Sequence, residues 1–246
     1  VDAVIAVHAA PDVPAFAGAP NGASPGTAAD FQGGYLNVPG VDMSNVISGE
    51  GSYTFAAWIK PSDLGGNKFL FGQSSQGIHN GIRNGGFLHQ AHWGADTNGA
   101  TNLNDYDASA NDGWVHAAWV YDGATDTGKI YLDGVEDYSG DKRAPNGNGN
   151  LIIGGSNGGG DNFRGLVDEI AVWDIAASAD IIAALAGGAS PLEVGGSDNP
   201  LRVTNFTYDK ETGELVITWT TNPGSVYGLQ YSTCLLYTSP SPRDRS

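Results

Sequence analysis

Basic residues are scarce in this chain. Eleven Lys and Arg stand against 27 Asp and Glu in 246 residues, a formal charge of −16 at neutral pH. That balance speaks against nucleic acid, which rewards clustered cations, and suits calcium, neutral sugars or basic partners, while also serving solubility. Cysteine is nearly absent: Cys234 stands alone, so no disulfide framework or thiol chemistry is expected. No apolar run approaches the roughly 20 residues of a membrane span. The opening "VDAVIAVHAAPDVPAFAG" has no initiator Met and no basic residue ahead of its short apolar run, so it is not read as a leader and the chain reads as a piece of something longer. The Gly-Lys-Ser/Thr ending of a phosphate loop and the Gly-X-Ser-X-Gly of a serine hydrolase are both missing.

Glycine and aromatics are plentiful, with 37 Gly, 6 Trp and 10 Tyr. The apolar pattern alternates almost throughout. In "SYTFAAWIKP", Tyr53, Phe55, Ala57 and Ile59 alternate with Thr54, Ala56, Trp58 and Lys60, which predicts a strand. Further strands are expected within 28–40, 68–73, 85–94, 113–137 and 150–156, with turns at Asp122-Gly123 and Asp133-Gly134. One helix is expected near 178–186, capped by Ser178 and stopped by Gly187. Strands separated by glycine-rich turns predict an all-β sandwich or jelly roll. Residues 189–200 read as a Gly/Pro/Ser linker, and 201–233 as the first strands of a second β-sandwich module. The tail "CLLYTSPSPRDRS", 234–246, breaks the pattern and resembles translated adapter read-through at the end of a metagenomic read.

The order "YTFAAWIKPSD", "GWVHAAWVYDGATDTGKIYLDGV", "LIIGGS", "FRGLVDEIAVWDIAASADIIAAL" resembles the laminin-G-like branch of the concanavalin A-like lectin/glucanase fold. The resemblance implies an antiparallel two-sheet jelly roll over 15–188, one module of an exported multidomain bacterial protein, extracellular or at the cell surface. It also implies a non-catalytic binding or adhesion role toward glycans or protein partners; the competing reading is a fragment or accessory module of a glycoside hydrolase acting on β-glucan-like polysaccharide. The chain departs from the family at Phe31-Gln32-Gly33, where relatives often carry Phe-Asp-Gly, and the usual first strand is missing or degenerate before Asp30.

Three groups of polar residues bear on function. Retaining glycosidases need two carboxyl groups about 5 Å apart, and the Glu-x-Asp-x-x-Glu spacing that supplies them on this fold is absent. His89 and His92 lie three apart on an expected strand, hence on opposite faces, unlike a helical metal pair; His116, among Trp114, Ala118 and Val120, reads as a packed strand histidine. The stretch "GIHNGIRNGGFLHQAHWGADTNG" gathers His79, Asn80, Arg83, His92, Trp93 and Asp96, an aromatic face with short polar groups that suits a sugar; the alternative is that Trp93 is core. In "FRGLVDEIAVWD", strict alternation puts Asp168 on one face with Leu166, Ile170 and Val172, and Glu169 on the other with Val167, Ala171 and Trp173. A carboxylate in such company must be paired, hydrogen-bonded, protonated or metal-bound. The resemblance implies that Asp168 holds a structural calcium with backbone carbonyls of Gln32, Gly33 and Gly34, and that Glu169 has a polar or ionic partner.

Overall fold

The computed structural model describes residues 28–47, 51–75, 77–156, 161–194, 203–208 and 215–219. The expected domain start at 15, residues 220–233 of the second module and the 234–246 tail lie outside the described residues. The described strands are β1 (Ala29–Gln32), β2 (Leu36–Asp42), β3 (Tyr53–Pro61), β4 (Lys68–Gln73), β5 (His79–Arg83), β6 (Phe87–Gln90), β7 (Thr97–Asn102), β8 (Val115–Asp122), β9 (Thr127–Leu132), β10 (Val135–Asp141), β11 (Asn150–Ile153), β12 (Arg164–Trp173), β13 (Val203–Tyr208) and β14 (Leu215–Trp219). Helices are α1 (Met43–Val46), α2 (Ala179–Ala186) and α3 (Pro191–Val194).

Two six-stranded antiparallel sheets form the first unit, in the orders β1-β12-β3-β8-β9-β10 and β2-β11-β4-β5-β6-β7. Alternation in β3 does what the sequence predicts: Tyr53, Phe55, Ala57 and Ile59 join the core between the sheets, with Trp119, Leu70, Phe71, Ile82 and Leu88 from other strands. The short β1, within the expected 28–40 region, pairs with β12 at the edge of the first sheet; the stretch ahead of it, where the usual first strand is expected to be missing or degenerate, lies outside the described residues.

The outward side of the first sheet is itself buried. Ala56, Ala118, Val120, Tyr131, Ala171 and Trp173 pack beneath Ala177, Ile182 and Leu185, because α2 lies over them. Ser178 caps the helix by accepting the Ile181 N–H at 3.3 Å, and Asp180 stands in its first turn, where the helix dipole favours an acid. Burying Ile182 and Leu185 contributes about 1.5–3 kcal/mol each. Thr54 ties down the approach to the helix, donating to the Ile175 carbonyl at 2.7 Å and accepting the Ala177 N–H at 2.9 Å. At the other end Gly187 stays right-handed (φ −79°) and Gly188 (φ +91°) makes the left-handed turn. Within the expected linker 189–200, α3 touches both α2 and β12 and Pro191 is buried; residues 195–200 lie outside the described residues.

Strict alternation fails in β12. The pairing with β3 jumps from Asp168↔Trp58 to Ala171↔Ala56, leaving Glu169 and Ile170 opposite one residue. Glu169 takes φ +49° and its N–H donates to Asp168 Oδ1 at 2.8 Å, a β-bulge. Val167, Ile170 and Val172 consequently share the core side, while Leu166 packs against Trp58 and Trp114 on the outer side. The expected company of Asp168 is corrected: it lies on the outward face, away from Ile170 and Val172.

Residues 202–246 group separately from 2–201. Within that second unit, β13 and β14 pair as an antiparallel hairpin.

Candidate functional site

On the second sheet, β5 alternates between inward Asn80 and Ile82 and outward His79 and Arg83, and Gly81 pairs with His89 of β6. Phe69 of β4 packs its ring against His79 (4.8 Å between centroids) and His89 (6.0 Å). Asp96, in the β6–β7 connection, reaches back over this pair, accepting from Arg83 Nη1 at 2.5 Å. Burial alone would raise the Asp96 carboxyl, but the Arg83 hydrogen bond and the field of the two histidines and the guanidinium outweigh it and hold it below the ordinary value. His89 donates through Nδ1 to Asn98 Oδ1 at 2.7 Å and presents Nε2 to Arg83 at 3.3 Å. Burial pushes His89 down to about 4, so it is neutral at physiological pH.

Beneath that surface runs an interior network centred on Tyr53. Its hydroxyl donates to His92 Nε2 at 2.6 Å, and His92 Nδ1 donates to the Arg143 carbonyl at 2.5 Å. Gln90 Nε2 (2.9 Å) and Asn80 Nδ2 (3.5 Å) donate to the same hydroxyl, and Asn80 Oδ1 accepts the Ala91 N–H at 3.0 Å. Burial pushes His92 down to about 3 and raises the Tyr53 phenol well above its ordinary value. Lys142, also buried, donates to the Gln90 carbonyl at 2.7 Å and Thr97 Oγ1 at 2.8 Å, and burial pushes its amine down to about 8.

Trp93 is the opposite of core. It is 58% exposed and sits at φ +24°, a conformation that costs an L-residue roughly 1–2 kcal/mol. Arg143, from the segment after β10, holds it there: Nη2 donates to the carbonyls of His92 (2.9 Å) and Trp93. Beside the indole opens a cleft of about 370 Å³ lined by Ser75, Gly77, His92, Trp93, Arg143 and Asn146, among others. Gly77 is required at its wall, because a Cβ there would run into Gln73 Nε2 and the Asn146 carbonyl.

The six residues grouped by sequence thus divide. His79, Arg83, Trp93 and Asp96 meet on the outer face, whereas Asn80 and His92 belong to the Tyr53 network, with His92 contributing only to the cleft floor. Sequence reasoning missed His89 as a member of the cluster and Arg143 altogether; the latter is 50 residues from Trp93, and nothing local marks it. The expected metal set does not assemble as drawn. Gln32 pairs with Arg164 while β1 reaches Val167 only through Ala29, so Gln32 to Gly34 lie roughly 10 Å or more along the strand from Asp168. His116, on the outward face of β8, packs edge-on to Trp58 at 5.5 Å, and burial pushes it down to about 3. Among the described residues no Asp or Glu is buried.

No relative is found among curated proteins. Among solved structures, a proposed carbohydrate-binding protein from Bacteroides ovatus is 21% identical with a TM-score of 0.51, the match covering 79% of this chain and 59% of that one. A mutant of the NanB sialidase from Streptococcus pneumoniae is 16% identical with a TM-score of 0.53 over 74% of this chain and 29% of its own. The carbohydrate-binding module of the Ruminococcus gnavus IT-sialidase, bound to α2,3-sialyllactose, is 16% identical with a TM-score of 0.48, covering 65% and 96%. This chain therefore spans less than two thirds of the Bacteroides ovatus protein, and at these identities the likeness is one of fold. The laminin G profile of the concanavalin A-like lectin/glucanases superfamily matches residues 30–183, well over half of the chain, and the chain belongs to that superfamily.

Proposed function

We propose that the two-sheet domain is a non-catalytic glycan-binding module of an exported multidomain protein, and that the sugar lies on Trp93 at the mouth of the adjoining cleft. The observation that carries this reading is Trp93 itself: a large indole, 58% exposed, held at positive φ by Arg143 beside a cleft. A pyranose presents a C–H face that stacks on an indole, and its hydroxyls need convergent polar groups. Ser75, Asn146 and Arg143 line that cleft, and a guanidinium with five N–H donors is not exhausted by two carbonyls. Carbohydrate binding in the Bacteroides ovatus and Ruminococcus gnavus proteins belongs to those proteins and accords with this reading. Against catalysis stands the state of Asp96, which its pair with Arg83 holds below the ordinary carboxyl value, whereas a general acid needs a raised one.

The test is a glycan array probed with the full chain and with Trp93→Ala. The proposal expects the wild type to bind a defined set of glycans and the variant, with an unchanged circular dichroism spectrum, to lose at least tenfold in affinity. A folded variant that binds as well as the wild type, or a wild type that binds no glycan, overturns it.

A further inference from the structure

A second cluster on the same face has a different chemistry. His79 from β5, His89 from β6 and Asp96 from the following connection each turn a ligating atom into one space, all within 4.8 Å of one another. Asp96 Oδ2 stands 3.9 Å from His79 Nε2 and 4.0 Å from His89 Nε2. We infer that these three side chains form a site for a divalent transition metal such as Zn²⁺, whose place Arg83 fills in the metal-free protein and leaves when the metal binds. The inference is independent of the glycan reading.

Donor chemistry selects the class of ion. Two imidazoles and one carboxylate suit zinc, nickel or copper, whereas calcium takes oxygen ligands. At Zn–N and Zn–O lengths near 2.1 Å, tetrahedral ligands lie about 3.4 Å apart, so the two histidine–carboxylate separations of 3.9 and 4.0 Å need to close by only about 0.5 Å and no pair by more than about 1.4 Å. His89 is already oriented as a ligand. Its Nδ1–H is fixed on Asn98 Oδ1 at 2.7 Å, which leaves the Nε2 lone pair facing the cluster, the arrangement that outer partners impose on metal-bound histidines. Phe69 walls the two rings from beneath.

Arg83 shows what the space attracts. Its Nη1 lies 2.5 Å from Asp96 Oδ2 and 3.3 Å from His89 Nε2, so a positive charge already binds two of the three proposed ligands. With its side chain one-third exposed, the guanidinium can swing into water when a more highly charged ion arrives. Three protein ligands leave at least one coordination position open, and Trp93 stands beside it, 6.5 Å from the His79 ring.

The experiment is calorimetric titration of the full, untagged chain with Zn²⁺ alone, without sugar. One equivalent is expected to bind, at least tenfold more weakly in Asp96→Asn and His89→Ala and several-fold more tightly in Arg83→Ala, where no cation must be displaced. His116→Phe, on the outward face of the first sheet, serves as the control that keeps wild-type affinity. If His89→Ala fails to fold by circular dichroism, the more exposed Asp96→Asn decides. Cu²⁺ is expected to quench part of the tryptophan emission, and Trp93→Phe to remove that quenching while the calorimetric affinity persists. Absence of binding in both wild type and Arg83→Ala overturns the inference, as does unchanged affinity in Asp96→Asn or tighter binding of Ca²⁺ than of Zn²⁺.

Discussion

The outward sides of the two sheets have been put to opposite uses. On the first sheet that side is apolar, and α2 covers it, burying Trp173 with Ile182 and Leu185. On the second sheet the outward side carries His79, Arg83, His89 and Asp96 beside an indole left in water. Both sides contain histidine and tryptophan, so residue type does not separate them. What separates them is whether the tryptophan's neighbours are aliphatic residues of another layer or polar groups and a cleft. A sandwich needs only one face of each sheet for its core, and here the helix covers the outward side of one layer while that of the other carries polar groups and an exposed indole.

The largest expected effect tests the covered side. Trp173→Ala, at a site 1% exposed, should lose about 3–5 kcal/mol and lower the melting temperature by about 10 °C or more, as thermal circular dichroism would show; a small shift would mean that α2 contributes little to the layer beneath it.

Acid should act on both sides alike. His89, His92 and His116 are pushed down by burial to about 4, 3 and 3, whereas in the unfolded chain they take up protons near 6.5. The unfolded state thus binds more protons on acidification, so stability present above about pH 6.5 is lost as pH falls toward 4, by on the order of 1 kcal/mol per pH unit for each histidine. Urea midpoints between pH 7 and 4.5 should fall accordingly, and His116→Phe should flatten the slope by about a third. An unchanged slope would remove His116 from the account.

Smaller still is the bulge. Asp168→Asn weakens the carboxylate's hold on the Glu169 N–H and should cost about 1 kcal/mol, equally in calcium and in chelator; a deficit seen only with calcium present would restore a metal to this residue. Least costly is the open side. Trp93→Gly removes a side chain from φ +24° and should raise stability by up to about 1 kcal/mol while abolishing sugar binding. A clear loss of stability would show that the indole packs more than its exposure indicates.

The sandwich was legible in the sequence because its signal is local. Alternation in β3 and β8, the Asp133-Gly134 turn and the Ser178 cap each follow from a few adjacent residues, and each stands in the structure. The outer site was legible only in part. Trp93 and Asp96 sit close together in the chain, and parity separates His89 from His92, but His79 meets His89 only through strand pairing, and Arg143 arrives from beyond β10. Such contacts are set by register, which alternation within one strand does not encode. Asp168 misled for a related reason, since one residue at positive φ inverts every face assignment after it.

That inversion has a consequence for chain length. With Glu169 looped out, the side chains of β12 face as they would in a regular strand running from Asp168 directly to Ile170. The bulge is therefore a silent place in the strand's reading frame. A version lacking Glu169 keeps every downstream side chain in phase with both layers, whereas removing a neighbour such as Ala171 would turn Val172 out of the core and Trp173 into it.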